Sequence, residues 1–174
     1  MIERFCPDLY VDKLTTITPC HLKNHELSGL ILDLDNTLVA WDSDSPPEEV
    51  LSWISEMKDH DIELCILSNS LGKRVQHISR QFKLPFVSKA VKRRKKSFLQ
   101  AIKVLGLSHN QVGVIGDQLL TDIWGGNRLG LYTILIVPRS TSDFITTRVV
   151  RFLERFILKR LEKKRMLSSI TGDL

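Results

Sequence analysis

The feature that most constrains the fold is the alternation of short apolar runs with segments of helical spacing. The apolar runs are each followed by polar residues, and we predict that they form strands buried on both faces. These strands span 29–34, 62–67, 112–115 and 131–137, with a short fifth at 86–87. Helices are predicted at 47–60, 71–82, 95–105 and 119–129. Alternating strands and helices indicate an α/β, Rossmann-like parallel sheet of about five strands with helices on both faces.

Polar side chains follow three of the predicted strands at their carboxyl ends. In open parallel sheets ligands bind at these ends, near the point where the strand order reverses. The residues concerned are Asp33, Asp35, Ser68, Asn69, Asp117 and, one helical turn further along the chain, Asp122. We therefore expect these side chains to form one site.

The carboxylates in this set predict a magnesium site. Asp33 and Asp35 leave the same side of the chain if the strand stays extended, so their charges repel unless a cation holds both ionised. Asp117 supplies a third oxygen ligand from another strand. Oxygen ligands without nearby His or Cys favour Mg²⁺ over Zn²⁺. We predict Asp33, Asp35 and Asp117 as the metal residues.

The same residues suit transfer of a phosphoryl group. A carboxylate beside Mg²⁺ is able to attack phosphorus, so Asp33 is the predicted nucleophile and Asp35 the acid and base. Positive and hydroxyl donors are needed to stabilise the phosphoryl group, and Ser68, Asn69 and Lys92 are the candidates. Lys92 opens a basic run over 92–96, and any side chain of that run is a possible phosphate ligand.

The order of these motifs resembles the haloacid dehalogenase (HAD) superfamily. The more specific likeness is to its capless subfamily IIIA phosphatases of the YqeG type, which are related to phosphatidylglycerophosphate phosphatases. It covers nearly the whole chain, including Pro7-Asp8, Tyr10-Val11, Trp41 and the stretches 33–38 and 116–122. One departure is that Arg93 follows Lys92, where that family usually has proline.

The resemblance implies a role for each motif residue. Asp33 and Asp117 would bind Mg²⁺ through their side chains and Asp35 through its main-chain carbonyl, with Asp122 as a supporting carboxylate. Each residue also has an ordinary structural interpretation. The aspartates are common in turns, helix caps and solvated helix faces, and Ser68 and Asn69 are common helix caps. The four motifs together favour the functional interpretation.

The spacing of the motifs leaves no room for a cap domain over the site. The stretches between Asp35 and Ile62 and between Ser68 and Lys92 are each filled by one helix and its loops. Both are shorter than the roughly 40 residues below which a domain rarely folds alone. An uncapped site favours a phosphate on a macromolecule or a lipid headgroup.

The C-terminal segment, 144–174, is predicted to be a basic amphipathic helix and tail that follows a phosphatase domain at 1–143. Between Arg148 and Arg165 there are eight Lys or Arg and two Glu, within a chain of net charge +5. Three interpretations of 144–167 are open: a helix packed on the sheet, a helix on an anionic membrane surface, or a nucleic-acid contact. The last is disfavoured because the basic stripe lacks exposed aromatic residues and matches no known nucleic-acid-binding module. The apolar positions are Ile145, Val149, Phe152, Leu153, Phe156, Ile157 and Leu161.

These observations predict a Mg²⁺-dependent phosphomonoesterase acting on a membrane lipid phosphate such as phosphatidylglycerophosphate. The alternative is an interaction protein that docks on membrane, RNA or protein and retains only a weak phosphatase core. Three cysteines at irregular spacing predict a cytoplasmic protein. Because no apolar run approaches roughly 20 residues, any membrane contact is expected to be peripheral, at the inner face of the membrane.

Overall fold

The computed structural model describes residues 2–70, 72–88, 95–138, 145–164, 166–167 and 169–170. Within them, parallel strands form one seven-stranded sheet in the order β4-β3-β2-β5-β6-β1-β7. The strands are β1 (Leu9–Val11), β2 (Gly29–Leu32), β3 (Glu63–Leu67), β4 (Phe86–Val87), β5 (Val112–Gly116), β6 (Tyr132–Ile136) and β7 (Ser169–Ile170).

The five predicted strands are all present, and the parallel α/β fold is confirmed. Two strands were not predicted, β1 and β7, which lie at one edge of the sheet. They have only three and two residues, which is too short for a periodic pattern. β1 extends the sheet by pairing with β6, where Tyr10 is aligned with Leu135.

Helices cover both faces of the sheet, as predicted. They are α1 (Pro19–Asn24), α2 (Glu48–Asp59), α3 (Gly72–Phe82), α4 (Lys95–Leu105), α5 (Trp124–Asn127) and α6 (Ile145–Lys163). Buried side chains of α1, α2 and α3 share one apolar cluster with alternate residues of the strands, such as Leu32 and Ile66. Ile31 and Val114 point to the opposite face, where they lie in one cluster with α4. Ile157 and Leu161 of α6 pack with Leu135 of β6.

The predicted helix at 119–129 is divided into two parts. A π-helical turn, Leu119–Ile123, precedes the short helix α5. The Ile123 N–H donates to the Gln118 carbonyl at 3.3 Å, which is the wider i to i−5 pattern. This widening changes the direction of the side chains in the turn, and Asp122 lies within it.

The strand order reverses between β2 and β5. From β2 the chain continues through β3 to β4 on one side, and then returns to β5 on the other side of β2. This is the position at which open α/β sheets bind ligands. Asp33 follows β2 and Asp117 follows β5. None of the helices in the described parts of the chain is long and apolar enough to cross a membrane.

Candidate active site

Asp33 lies directly after the central strand β2, and its backbone continues the sheet. Its N–H donates to the Ile115 carbonyl at 2.9 Å. Only 7% of the residue is exposed. The hydroxyl of the buried Thr37 donates to Asp33 Oδ2 at 3.0 Å. The carboxylate is therefore held in one orientation at the edge of the sheet.

A tight turn after Asp33 carries the chain away from the strand direction. Asn36 has a φ of 63°, a left-handed conformation that asparagine tolerates better than most residues. Its N–H donates to the Val39 carbonyl at 2.8 Å, and its side-chain Oδ1 accepts the Trp41 N–H at 3.2 Å. The turn separates the side chains of Asp33 and Asp35, which an extended strand would have kept on one side.

Asp117 and Asp122 reach the same place from the end of β5. Both are buried, at 3% and 2% exposure. Asp122 returns over Gly116 so closely that a Cβ on Gly116 would lie 2.3 Å from the Asp122 carboxyl carbon. The Gln118 N–H donates to Asp122 Oδ2 at 3.3 Å. The π-helical turn and the missing side chain of Gly116 thus allow Asp122 to approach the end of β5.

Three buried carboxylates, those of Asp33, Asp117 and Asp122, converge at this point. One ligand oxygen from each lies within 4.8 Å of the others. Like charges brought together away from water are costly unless a cation neutralises them. The donor set consists of carboxylate oxygens, which suits a hard divalent cation. The residues therefore fit a divalent metal.

The side chain of Asp35 is not part of this carboxylate cluster. The Ser70 hydroxyl donates to its Oδ2 at 2.5 Å, and the Arg74 guanidinium forms an ion pair with its Oδ1. Neither Ser70 nor Arg74 was predicted as a site residue from the sequence. Ser70 lies two residues after Ser68 and was visible as a candidate, whereas nothing in the local sequence distinguishes Arg74 from a solvated helix residue.

The predicted phosphate-binding residues differ in their surroundings. Ser68 is fully buried at the end of β3, where its N–H donates to the Val87 carbonyl at 3.1 Å and its Oγ accepts the Ser70 N–H at 3.0 Å. Asn69 is exposed. Lys92 lies outside the described residues. Ser68 and Asn69 are thus at the carboxyl edge of the sheet, next to the strand that precedes Asp33.

One potential nucleophile near the sheet centre is inert. Cys65 lies in β3, and burial raises the pKa of its thiol to about 12. Because the thiolate is the reactive form, this cysteine is not a nucleophile at neutral pH.

Solved structures share the fold of this chain at low sequence identity. A protein of Streptomyces avermitilis MA-4680, assigned to the HAD family of hydrolases, aligns with a TM-score of 0.53 at 18% identity, over 73% of this chain and 72% of that one. The cobalt-bound form of the deoxy-D-mannose-octulosonate 8-phosphate phosphatase of Haemophilus influenzae aligns with a TM-score of 0.52 at 16% identity, over 79% of this chain and 90% of that one.

Sequence relatives are more similar. The probable phosphatase YqeG of Bacillus subtilis (strain 168) is 44% identical over 160 residues, which is 92% of this chain and 93% of that protein. Phosphatidylglycerophosphate phosphatase 1, chloroplastic/mitochondrial, of Arabidopsis thaliana is 30% identical over 82% of this chain and 44% of its own length. Residues 2–138 match the family described as mitochondrial PGP phosphatase. The chain therefore belongs to the mitochondrial PGP phosphatase family, and its fold is that of the HAD hydrolases.

Proposed function

We propose that this phosphatase is a Mg²⁺-dependent phosphomonoesterase that acts through an aspartyl-phosphate on Asp33. The observation that carries the proposal is the convergence of three buried carboxylates at the point where the strand order reverses. Asp33 is the member that ends the central strand, and Thr37 orients it. A fixed carboxylate in this position suits nucleophilic attack on phosphorus.

The reaction proceeds in two displacements. An Asp33 oxygen bonds to phosphorus while the bond from phosphorus to the leaving oxygen breaks, and that oxygen takes the electron pair and a proton from the Asp35 carboxyl group. Water then attacks phosphorus and gives a proton to Asp35 as the bond to Asp33 breaks. Phosphate is released and both carboxyl groups return to their starting state.

The metal residues in this proposal are Asp33 and Asp117, with Asp122 beside them and the Asp35 main-chain carbonyl as the predicted further ligand. An all-oxygen donor set supports Mg²⁺. When bound, the ion neutralises the carboxylates and the phosphoryl oxygens. Ser68 and Asn69 are the proposed phosphate donors from the end of β3. Lys92 remains a prediction from the sequence.

Magnesium is expected to stabilise the folded protein. Binding at 100 times the dissociation constant contributes about 2.7 kcal/mol, which for a chain of this size raises the melting temperature by roughly 5 to 10 °C. Melting curves with Mg²⁺ and with EDTA measure this shift independently of activity. Asp117→Asn should abolish the shift, and EDTA should abolish phosphatase activity. The same melting temperature with Mg²⁺ and with EDTA would contradict the metal assignment.

We propose a membrane lipid phosphate, with phosphatidylglycerophosphate as the leading case, as the substrate. The family description and the Arabidopsis relative support this class. A panel of phosphorylated lipids, nucleotides and sugars, assayed with Mg²⁺, tests it directly. Preference for a water-soluble phosphate would exclude the lipid assignment while leaving the catalytic one intact.

Helix α6 supports contact with a membrane because one side packs on the fold and the other exposes apolar and basic side chains. Glu154, Ile157 and Leu161 are buried, and the Glu154 carboxylate accepts the Leu120 N–H at 3.0 Å. This bond joins α6 to the turn between Asp117 and Asp122. The helix therefore packs on the fold, beside the segment that carries two of the three carboxylates.

The other side of α6 has exposed apolar and basic residues. Leu153 and Phe156 are 48% and 51% exposed, so they do not lie on the buried face as the sequence pattern suggested. The Arg160 guanidinium lies 4.7 Å from the centroid of the Phe156 ring. The exposed Phe156 ring also contradicts one of the two sequence-based reasons for disfavouring nucleic acid, the lack of exposed aromatic residues. Arg155, Lys159, Arg160 and Lys163 are exposed as well. Apolar side chains among cations suit an anionic lipid surface.

Flotation of the full chain with anionic liposomes tests this contact. Binding should be strong at low salt and weaker at high salt, because each nearby cation contributes roughly 1 kcal/mol of screened attraction. Leu153→Ser with Phe156→Ser should reduce binding several-fold. Leu99→Ser on α4 is the control, since Leu99 is similarly exposed, at 43%. Equal loss in the control variant, or binding only to RNA, would exclude this surface as the membrane contact.

A further inference from the structure

The side chain of Arg74 connects the proposed acid, Asp35, with the loop that follows it. Arg74 lies on α3, two helical positions after Gly72. Its Nη1 pairs with Asp35 Oδ1, and its Nε donates to Asp44 Oδ1 at 2.9 Å. Its Nη2 lies within 3.3 Å of three backbone carbonyls in the same loop. These carbonyls are those of Ala40, Trp41 and Ser43, with the shortest distance, 2.8 Å, to Ser43. One guanidinium thus contacts both ends of the segment 35–44.

Asp35 is held at both of its oxygens by the segment after β3. Arg74 is on Oδ1 and the Ser70 hydroxyl is on Oδ2. Arg74 contacts Asp35 through one N–H only, so Arg74 and Ser70 together fix the plane of the carboxylate. The other N–H groups of the guanidinium bind the loop at the same time, in a fixed fork that an ammonium lacks. The turn after Asp33 directs the Asp35 side chain away from Asp33, and residues of the β3–α3 segment hold both of its oxygens.

The contribution of this ion pair is to geometry more than to stability. The side chains of Arg74 and Asp35 are 24% and 22% exposed, and Asp44 is 69% exposed. Ion pairs in contact with water contribute little to the free energy of unfolding. Arg74 nevertheless makes five polar contacts to one segment, and these contacts link Asp35 to the loop 40–44.

We infer that Arg74 is a positioning residue for proton transfer by Asp35. The inference rests on the proposed function, in which Asp35 protonates the leaving oxygen. Because Oδ1 accepts the guanidinium N–H, we place the transferable proton on Oδ2. This requires the Ser70 hydroxyl, which donates to Oδ2 in the structure, to turn so that it no longer donates to that oxygen. In the first displacement that proton goes to the leaving oxygen as the bond to phosphorus breaks. In the second, the Asp35 carboxylate receives a proton from the attacking water.

Comparing kcat/KM on substrates with different leaving groups separates loss of the position of Asp35 from general loss of folded protein. An aryl phosphate such as p-nitrophenyl phosphate releases a stable anion and needs little protonation. An alkyl phosphate such as glycerol phosphate releases a poor leaving group and depends on the acid. The value of kcat/KM reports events up to the first irreversible step, which is transfer to Asp33, so it isolates the protonation by Asp35.

The experiment compares Arg74→Ala, Asp35→Asn and the double variant on both substrates. General acid catalysis contributes roughly 10²-fold to 10⁴-fold, so Arg74→Ala should lower kcat/KM on the alkyl phosphate at least about ten-fold more than on the aryl phosphate. The double variant should be no slower than Asp35→Asn, because a positioning residue has no effect once its target is removed. Arg74→Lys keeps the charge without the planar fork, and should show the same selective loss to a smaller extent.

Control variants and outcomes separate this inference from the proposed function. Asp44→Asn weakens the exposed contact of Arg74 and should affect both substrates little and equally. Equal losses on the two substrates in both Arg74→Ala and Arg74→Lys, or additive losses with Asp35→Asn, would overturn the role of Arg74 alone. If Asp35→Asn itself showed no dependence on the leaving group, the assignment of Asp35 as the acid would fall, and the role of Arg74 with it.

Discussion

Replacement of Asp33 by asparagine is expected to reduce hydrolysis of a phosphomonoester by at least about 10⁴-fold, the scale on which enzymes lose activity when a nucleophile is removed. The substitution is nearly isosteric, and the amide oxygen still accepts the hydrogen bond that Thr37 donates to Asp33 Oδ2. The buried position of the residue should therefore tolerate it. The loss would reflect chemistry, because an amide neither attacks phosphorus nor forms an acyl phosphate.

The measurement is the rate on p-nitrophenyl phosphate with saturating Mg²⁺, together with trapping of the intermediate. Wild-type protein quenched with acid during turnover should contain phosphate that hydroxylamine releases, and Asp33→Asn should contain none. Asp59→Asn, an exposed carboxylate at the end of α2, is the matched control and should keep the wild-type rate. Equal rates in wild type and Asp33→Asn would contradict the catalytic proposal and favour the alternative of an interaction protein.

Replacement of Gly116 by alanine is expected to reduce activity by about 100-fold or more without removing any catalytic atom. A Cβ at this position would lie 2.3 to 2.5 Å from three atoms of the Asp122 side chain. Such an approach forces Asp122 to move, and the strand that carries Gly116 is buried in the sheet and has little freedom to adjust. Displacement of a catalytic group by about 1 Å costs on the order of 100-fold in rate.

The matched control is Gly126→Ala, whose Cβ would lie 2.6 Å from the Thr133 methyl group and so overlaps apolar atoms in place of a carboxylate. Both variants should lose roughly 1 to 3 kcal/mol of stability from overpacking. Only Gly116→Ala should also lose the rise in melting temperature on adding Mg²⁺. Retention of that rise and of activity in Gly116→Ala would show that Asp122 is not needed at the cluster.

Five of the seven strands and most of the helices were predictable because each carries a local signal, an apolar run or helical spacing. The apolar runs of β2, β3, β5 and β6 are nearly continuous, interrupted by Glu63 and Thr133, since both faces of the sheet are covered. The segment after Asp117 was predicted as one helix, and the structure has a π-helical turn followed by α5. The apolar spacing of this segment does not distinguish the two, because a single wider turn leaves the spacing of apolar residues almost unchanged.

The buried side of α6 was also not predictable from apolar spacing. Apolar spacing predicted a single apolar face, but Glu154 is buried while Leu153 and Phe156 are about half exposed. The hydrogen bond from the Leu120 N–H to the Glu154 carboxylate selects which side of the helix faces the fold. That partner is far away in the sequence, so helical periodicity alone does not identify it.

The parallel sheet and the polar residues at its carboxyl edge were predictable from local features, namely the apolar runs and the residues that follow each of them. Which carboxylates lie together depends instead on tertiary packing. Asp122 joins Asp33 and Asp117 through the π-helical turn over Gly116, whereas Ser70 and Arg74 draw the Asp35 side chain elsewhere. Both results depend on contacts between segments that are distant in the chain, and side-chain direction at a turn follows from such contacts.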